Sequence, residues 1–282
     1  RRRGVQYLPG AAAQKAKGVS MKGFLKKRRY FFISCASVCV VLLVWFLWCD
    51  VFKMTETTVF PGPVKVLTTF IQKLTQRNPD NATLLQHTIT SLQTCLLGYG
   101  IGAVVGIPMG ILMAWNKWCD RFIRPLFDLI RPIPGLAWIP LFIVLFGIGI
   151  GAKAMVIFIN SMVACTVNAY TGIQQTRQEH IWLGDVFGAS NAQKLFKIAI
   201  PSATPMIFTG LRTALGGSWM ALVAAELLAS SKGLGFMIQN ARLISRPDLI
   251  IVGMLCIGVV GLVLDVILEA VEKMVAKGMN AK

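Results

Sequence analysis

Three charged side chains, Arg212, Glu226 and Asp265, interrupt otherwise apolar sequence, and an ionised group in such a segment is costly unless it faces protein or water. Arg212 lies six residues in from one end of its apolar segment, and Asp265 six residues in from the same-side end of the last one. At about 1.5 Å rise per residue both sit roughly 9 Å deep. The two can pair and hold their segments together, or each can snorkel alone to the interface. Glu226, near the opposite end, suits an outer gate, and its negative charge makes it a poor site for an anion. Gln93, Asn160, Ser161, and Ser218 with Trp219 lie in mid-segment, where they can donate hydrogen bonds to a passing anion. The same residues serve interhelical hydrogen bonding equally well. No nucleophile, dyad or metal set for catalysis stands out. Cys35, Cys39, Cys49, Cys95, Cys119, Cys165 and Cys256 form no Cys-x-x-Cys pair and read as small apolar packing residues. His87 and His180 have no ligand-spaced partner, so no metal site is expected.

The elements that position these groups are apolar helices. Hydrophobic residues make up 55% of the 282 and charged ones 15%, which points to a polytopic membrane protein. Spans are expected at about 31 to 49, 88 to 115, 136 to 150, 152 to 172, 206 to 228 and 249 to 271. Pro132, Pro134 and Pro140 crowd the entrance of the third, which reads as broken or partly buried. With both termini inside, twenty Lys/Arg fall in cytoplasmic segments and eight in outward ones, with Arg212 left within a span. The positive-inside rule therefore favours six crossings with both termini cytoplasmic. The net charge of +17 is read as this topology signal together with attraction to anionic membrane lipid. Lys26-Lys27-Arg28-Arg29 abuts the first span without interleaved aromatics, so nucleic-acid binding is set aside. The apolar run after it is too long for a cleaved signal peptide.

Five parts are expected: a basic cytoplasmic tail over 1 to 30, a first span over 31 to 49, an extracytoplasmic segment over 50 to 87, a core over 88 to 272 and a tail over 273 to 282. Pro61-Gly62-Pro63 followed by mixed polar and apolar residues to Leu74 suggests a turn and an interfacial helix. Asn81-Ala82-Thr83 matches a glycosylation pattern and is read as chance. In the second span Gly98, Gly102, Gly106 and Gly110 repeat every four residues, placing them on one face where another helix can approach closely. A direct part in a translocation path is the alternative for that face.

Between the fourth and fifth apolar segments lies a polar hairpin, Thr176 to Pro201. Thr176 with Glu179 fits a capping box, which predicts a helix from Arg177 through Phe187. Gly188 ends it by supplying a left-handed turn, and Ser190 with Gln193 makes a second capping box. The second helix sets Leu195, Phe196, Ile198, Ala199 and Ile200 against Gln193, Lys194 and Lys197, and Pro201 and Pro205 are expected to limit it.

Gly188, nine residues, then Ile198-Ala199-Ile200-Pro201 resembles the "EAA" loop of permease subunits of bacterial ABC importers. The Glu-Ala-Ala positions are held by Trp182, Leu183 and Gly184, so the second half of the signature is the part kept. The run Gly188-Ala189-Ser190, Thr209-Gly210-Leu211-Arg212, Ala224-Ala225-Glu226 and Gly233-Leu234-Gly235 is similar to the nitrate/sulfonate/taurine/bicarbonate branch. So is Arg131-Pro132-Ile133-Pro134-Gly135-Leu136-Ala137-Trp138-Ile139-Pro140, and together these cover most of the chain after about residue 85. The resemblance implies an all-α, type I importer fold with a MetI-like core in a bacterial inner membrane. It also implies two copies of this chain, two ATPase subunits and an extracytoplasmic solute-binding protein, with no cofactor on this chain. Asp185, Gly188, Ala189, Ser190, Gln193, Leu195, Phe196, Ile198 and Pro201 would then form the ATPase-coupling surface, and the cargo would be a small anion, a sulfonate such as taurine preferred over nitrate or bicarbonate.

No Gly-x-x-x-x-Gly-Lys-Ser/Thr loop occurs in these residues, so ATP chemistry of that type is left to a partner. A gradient-driven carrier is the rival reading. It predicts paired half-chain repeats and buried coupling carboxylates; no repeat is apparent and the carboxylates cluster near segment ends.

Overall fold

The computed structural model describes Ile33 and residues 36 to 280, apart from 55, 57, 58 and 229. The basic tail expected over 1 to 30, the start of the first expected span and Lys282 lie outside the described residues. Cα packing separates a unit ending at Val66 from one beginning at Leu67, and among the described residues every regular element is helical. In the first unit α1 (Ala36–Val51) is apolar but short for a crossing, and the Trp45 and Phe60 rings lie 6.1 Å apart. Helix α2 (Pro63–Thr75) begins at the Pro61-Gly62-Pro63 turn with proline at its first position, where a missing N–H costs nothing.

The second unit is built on α3 (Leu84–Trp115) and α6 (Ile150–Gln174). Thr83, read only as part of a sequon, is the α3 cap: its Oγ1 accepts from the Gln86 N–H at 3.4 Å and Gln86 Oε1 accepts from the Thr83 N–H at 3.0 Å. All four glycines of the α3 stripe meet α6. A Cβ on Gly98 would stand 2.5 Å from the Ala154 carbonyl oxygen, on Gly102 2.8 Å from that of Phe158, and on Gly106 2.6 Å from that of Met162, while at Gly110 it would strike that of Thr166. Backbone touches backbone along three turns, the close approach that holds spans together when lipid supplies no hydrophobic drive.

Helix α4 (Lys117–Ile130) follows α3 after Asn116, whose side chain caps it. The chain then breaks at Pro132 and Pro134, forms a 3-10 turn over Gly135–Trp138, and enters the eight-residue α5 (Ile139–Phe146). The two limbs meet at 83°, so the chain bends sharply at the prolines just ahead of the third expected segment. Helices α7 (Gln178–Val186) and α8 (Asn191–Lys194) form the hairpin, and α9 (Ile200–Leu228), α10 (Leu234–Leu243) and α11 (Pro247–Asn280) complete the unit. By length and composition α3, α6 and α11 can cross a membrane, and the bent pair makes a fourth crossing if taken as one span. At 29 residues α9 is also long enough, but it carries Arg212 and Glu226.

At the end away from the hairpin, a buried polar network ties α2, α3, α9 and α10 together. Lys73 pairs with Asp80 and donates to the Ala82 carbonyl at 2.9 Å, with both charged side chains nearly inaccessible. His87, expected to stand apart, has Nε2 3.0 Å from Asp80 Oδ2, off the angle of a good hydrogen bond, and accepts the Gly233 N–H on Nδ1 at 3.1 Å. Ser91 Oγ donates to the Glu226 carboxylate at 2.9 Å and accepts the Leu234 N–H at 2.9 Å, and the Gly235 N–H reaches Glu226 Oε2 at 2.9 Å. The amides of Gly233, Leu234 and Gly235 at the start of α10, which lack intrahelical partners, are thus capped by α3 and α9. Thr69 donates to Asp248 Oδ2 at 2.8 Å, and Arg246 pairs with the same carboxylate at 2.7 Å, pinning α2 to the start of α11.

Two outcomes follow for stability. Gly102→Ala should lower the melting temperature of the detergent-purified protein, because a fixed carbonyl obstructs the new methyl; Gly100→Ala, with nothing within 4 Å, should leave it unchanged, and equal melting temperatures would contradict the packing. Burial alone would raise the Asp80 carboxyl, but the ion pair with Lys73 and the adjacent His87 imidazole outweigh it and hold it below its ordinary value. A depressed carboxylate contributes stability that is complete above its unfolded value, about 3.9, and lost as pH falls through the folded one. Asp80→Asn should therefore flatten the acid limb of the stability profile, and at neutral pH cost roughly 3–5 kcal/mol by leaving Lys73 buried and unpaired, read by thermal denaturation.

Candidate functional site

The hairpin is positioned by local capping. Helix α7 starts after Arg177, one residue later than Thr176 requires, so the expected Thr176 capping box does not form and the Thr176 hydroxyl is buried without a partner. Its end is as expected. Gly188 takes φ +71°, its N–H bonds the Asp185 carbonyl at 3.0 Å, and the Ala189 N–H reaches back to the Gly184 carbonyl at 2.9 Å. That pair of bonds is the Schellman arrangement. Ser190 Oγ then accepts the Gln193 N–H at 3.3 Å and Gln193 Oε1 the Ser190 N–H at 2.8 Å, closing the second capping box. Lys194 Nζ meets Asp185 Oδ1 at 2.6 Å across the hairpin.

Gly184 is buried where the two hairpin helices touch, and a Cβ there would stand 3.1 Å from both Ile198 Cδ1 and Lys194 Cγ. A small residue is thus retained at the packing position, while Trp182 and Leu183 face outward. Val186 (82%), Phe187 (81%) and Phe196 (67%) are also strongly exposed. Beside them a cavity of roughly 730 Å³ is lined by residues that include His180, Gly188, Gln193, Ile198 and Pro201. This unpaired apolar surface on a rigid polar hairpin is suited to docking against another protein.

The prolines after the hairpin do not end the helix. From Asn191 the chain stays helical to Leu228, passing through a π-turn at Leu195–Ala199 that the Ile200 N–H closes onto the Leu195 carbonyl. Pro201 offers no N–H and its ring would crowd the Lys197 carbonyl in a regular α-helix. The widened turn absorbs that conflict. The short amphipathic helix is therefore the first part of the α9 rod. Ala199 and Ala203 seat its base against Ile173 of α6, and Gly210 lies so close to α6 that a Cβ would be 2.6 Å from Asn168 Cβ.

Further along α9, Arg212 grips Asp265 of α11 with Nε 3.2 Å from Oδ1 and an amino group 3.0 Å from Oδ2. Glu269 and Glu272 stand 3.7 and 3.8 Å from the same guanidinium. Glu226, expected at an outer gate, is buried in the α10 cap. Of the polar residues expected in mid-segment, Ser161 donates to the Tyr99 carbonyl at 3.1 Å and Trp219 Nε1 to the Ile257 carbonyl at 3.0 Å. Both therefore serve interhelical contacts. The Ser218 hydroxyl is buried without a partner, Asn160 is half-buried with Nδ2 2.8 Å from where a Gly217 Cβ would be, and Gln93 is exposed. Sequence reading missed the cluster of Lys73, Asp80, His87 and Ser91; His87 and Ser91, four residues apart on α3, were its only local signal.

The architecture is shared with known transporters. An inward-facing methionine ABC transporter, MetNI, matches with TM-score 0.55 at 16% identity over 70% of this chain and 95% of its own. An amino acid ABC transporter matches with TM-score 0.56 at 17% identity, covering 76% and 95%. In sequence, the chain is 33% identical to a taurine transport system permease protein of Escherichia coli over 86% of this chain and 87% of that one. A bicarbonate transport system permease protein of Synechococcus elongatus is 31% identical over 92% and 94%. A nitrate import permease protein of Synechocystis is 34% identical over 85% and 87%. Residues 106–280 match the family described as binding-protein-dependent transport system inner membrane component. With the hairpin, the glycine-packed core and these likenesses in agreement, the chain belongs to that family, the permease subunits of ABC importers.

Proposed function

We propose that this chain is the membrane path of an importer for a small oxyanion, a sulfonate such as taurine preferred over nitrate or bicarbonate, and that its hairpin is the handle by which an ATPase moves it. The observation carrying this reading is the unbroken helix from Asn191 to Leu228, which joins an exposed docking surface to a span. Two copies of this chain, two ATPase subunits and an extracytoplasmic binding protein form the working complex. An ATPase groove takes the amphipathic helix with Phe196 as anchor, a helix-in-groove mode of recognition. ATP-driven closure swings α9, and α6 and α11 follow through the Gly210 contact and the Arg212–Asp265 pair. A ligand that favours one of two arrangements shifts the population between them.

The crossings are six, α1, the bent α4/α5 pair, α6, α9 and α11 with α3, and both termini are cytoplasmic with the hairpin. The Lys73–Asp80–His87 network and α10 then lie on the outer face, where the binding protein docks. Related permeases are named for taurine, bicarbonate and nitrate transport, each cargo an oxyanion, which supports that class for this chain.

Affinity capture of the permease with the ATPase encoded beside it tests the handle. Wild type should retain the ATPase, and Phe196→Asp with Gly188→Trp should lose it while keeping the same gel-filtration profile. Equal capture by the folded double variant would overturn the docking surface.

A further inference from the structure

The network at the end away from the hairpin holds a buried titratable group that the proposed transport cycle does not use. His87 stands in the first turn of α3 with its side chain closed off from solvent. Its Nδ1 accepts the Gly233 N–H at 3.1 Å, so that nitrogen is bare and the ring proton is on Nε2, 3.0 Å from Asp80 Oδ2. The bond to Gly233 is the first of three that fasten the start of α10; those from Leu234 to Ser91 and from Gly235 to Glu226 follow it. The charges around the imidazole come from several elements. Helix α2 brings Lys73 and the loop after it Asp80, paired and both buried. Helix α9 brings Glu226, and Lys153 of α6, bonded to Ser230 at 2.9 Å, offsets that carboxylate. Helix α10 brings the Phe236 ring, its centre 6.3 Å from that of the imidazole.

With His87 neutral, the two lysines and the two carboxylates cancel. A proton on Nδ1 would set one N–H against another and add an unmatched positive charge to a site closed to water, where such a charge is costly. Nδ1 therefore holds either the Gly233 amide or a proton. We propose that His87 is a proton-operated latch for α10: at neutral pH it fastens the helix start to α3, and mild acid on that side of the membrane releases it. Opening brings the imidazole to water, where a histidine takes up a proton near pH 6.5, so the released state binds one proton more than the fastened one. The fastened state is favoured above that pH, and below it the released population rises about tenfold per pH unit. Release frees the joint at which α10 bridges α3 and α9, the far end of the rod that carries the hairpin. This inference goes beyond the importer reading and rests on it only for which side of the membrane the latch faces.

Hydrogen exchange of the permease–ATPase complex in nanodiscs, read by mass spectrometry on a peptide that spans Gly233 to Gly235, measures the latch directly. After correction for the intrinsic effect of pH on exchange, wild type should open about tenfold more at pH 5.5 than at pH 7.5. His87→Asn, whose Oδ1 can accept the Gly233 amide but takes no proton in this range, should bring that ratio to about one. Glu226→Gln leaves the imidazole in place and should keep the tenfold ratio, and it carries the test if His87→Asn does not fold. Equal opening of wild type at the two pH values overturns the latch. So does a pH dependence that survives in folded His87→Asn or vanishes in folded Glu226→Gln, because the sensor would then be another group. The importer reading is judged separately, by ATPase capture through the hairpin, which does not involve His87.

Discussion

A backbone amide or carbonyl shut away from water by protein or lipid must find its partner within the protein. Much of this chain answers that constraint. At Pro201 an amide proton is missing, and the helix widens into a π-turn so that the ladder resumes from Ile200. At the start of α10 the amides of Gly233, Leu234 and Gly235 have no helical partner, and His87, Ser91 and Glu226 supply one each. At Pro132 and Pro134 the helix does break, and the 3-10 turn that follows lies against Val156 and Asn160 of α6.

The three answers have different mechanical consequences. The π-turn preserves a rod, so displacement of the hairpin is transmitted into α9. The α10 cap makes a joint at the opposite end, uniting α3 and α9 through a single carboxylate. A Cβ at Gly233, which has φ +135°, would collide with that carboxylate, so the glycine and the acid are required together. Between these ends the α3 glycines lock α3 onto α6 backbone to backbone, Gly210 seats α9 closely against α6, and the Arg212 ion pairs with the Trp219–Ile257 bond link α9 to α11.

Local features were legible in the sequence and distant pairings were not. Capping boxes and glycine turns depend on residues within five positions, which is why Gly188 and the Ser190–Gln193 box were found where expected. Thr176 failed because the helix starts one residue later, beyond the resolution of a spacing rule. The glycine stripe identified its face but not its partner. Pro201 was read as a stop because proline usually is one; only the three-dimensional ladder reveals the wider turn. Ser91 and Glu226, 135 residues apart, carry no local signal of their pairing.

The decisive measurement is uptake per ATP hydrolysed in proteoliposomes holding the full complex, with two glycines inserted between Ala199 and Ile200. If the hairpin drives α9 as one rod, the variant should keep its ATPase and hydrolyse ATP while uptake falls to background. Uptake unchanged with that rod interrupted would show that force reaches the spans by another route.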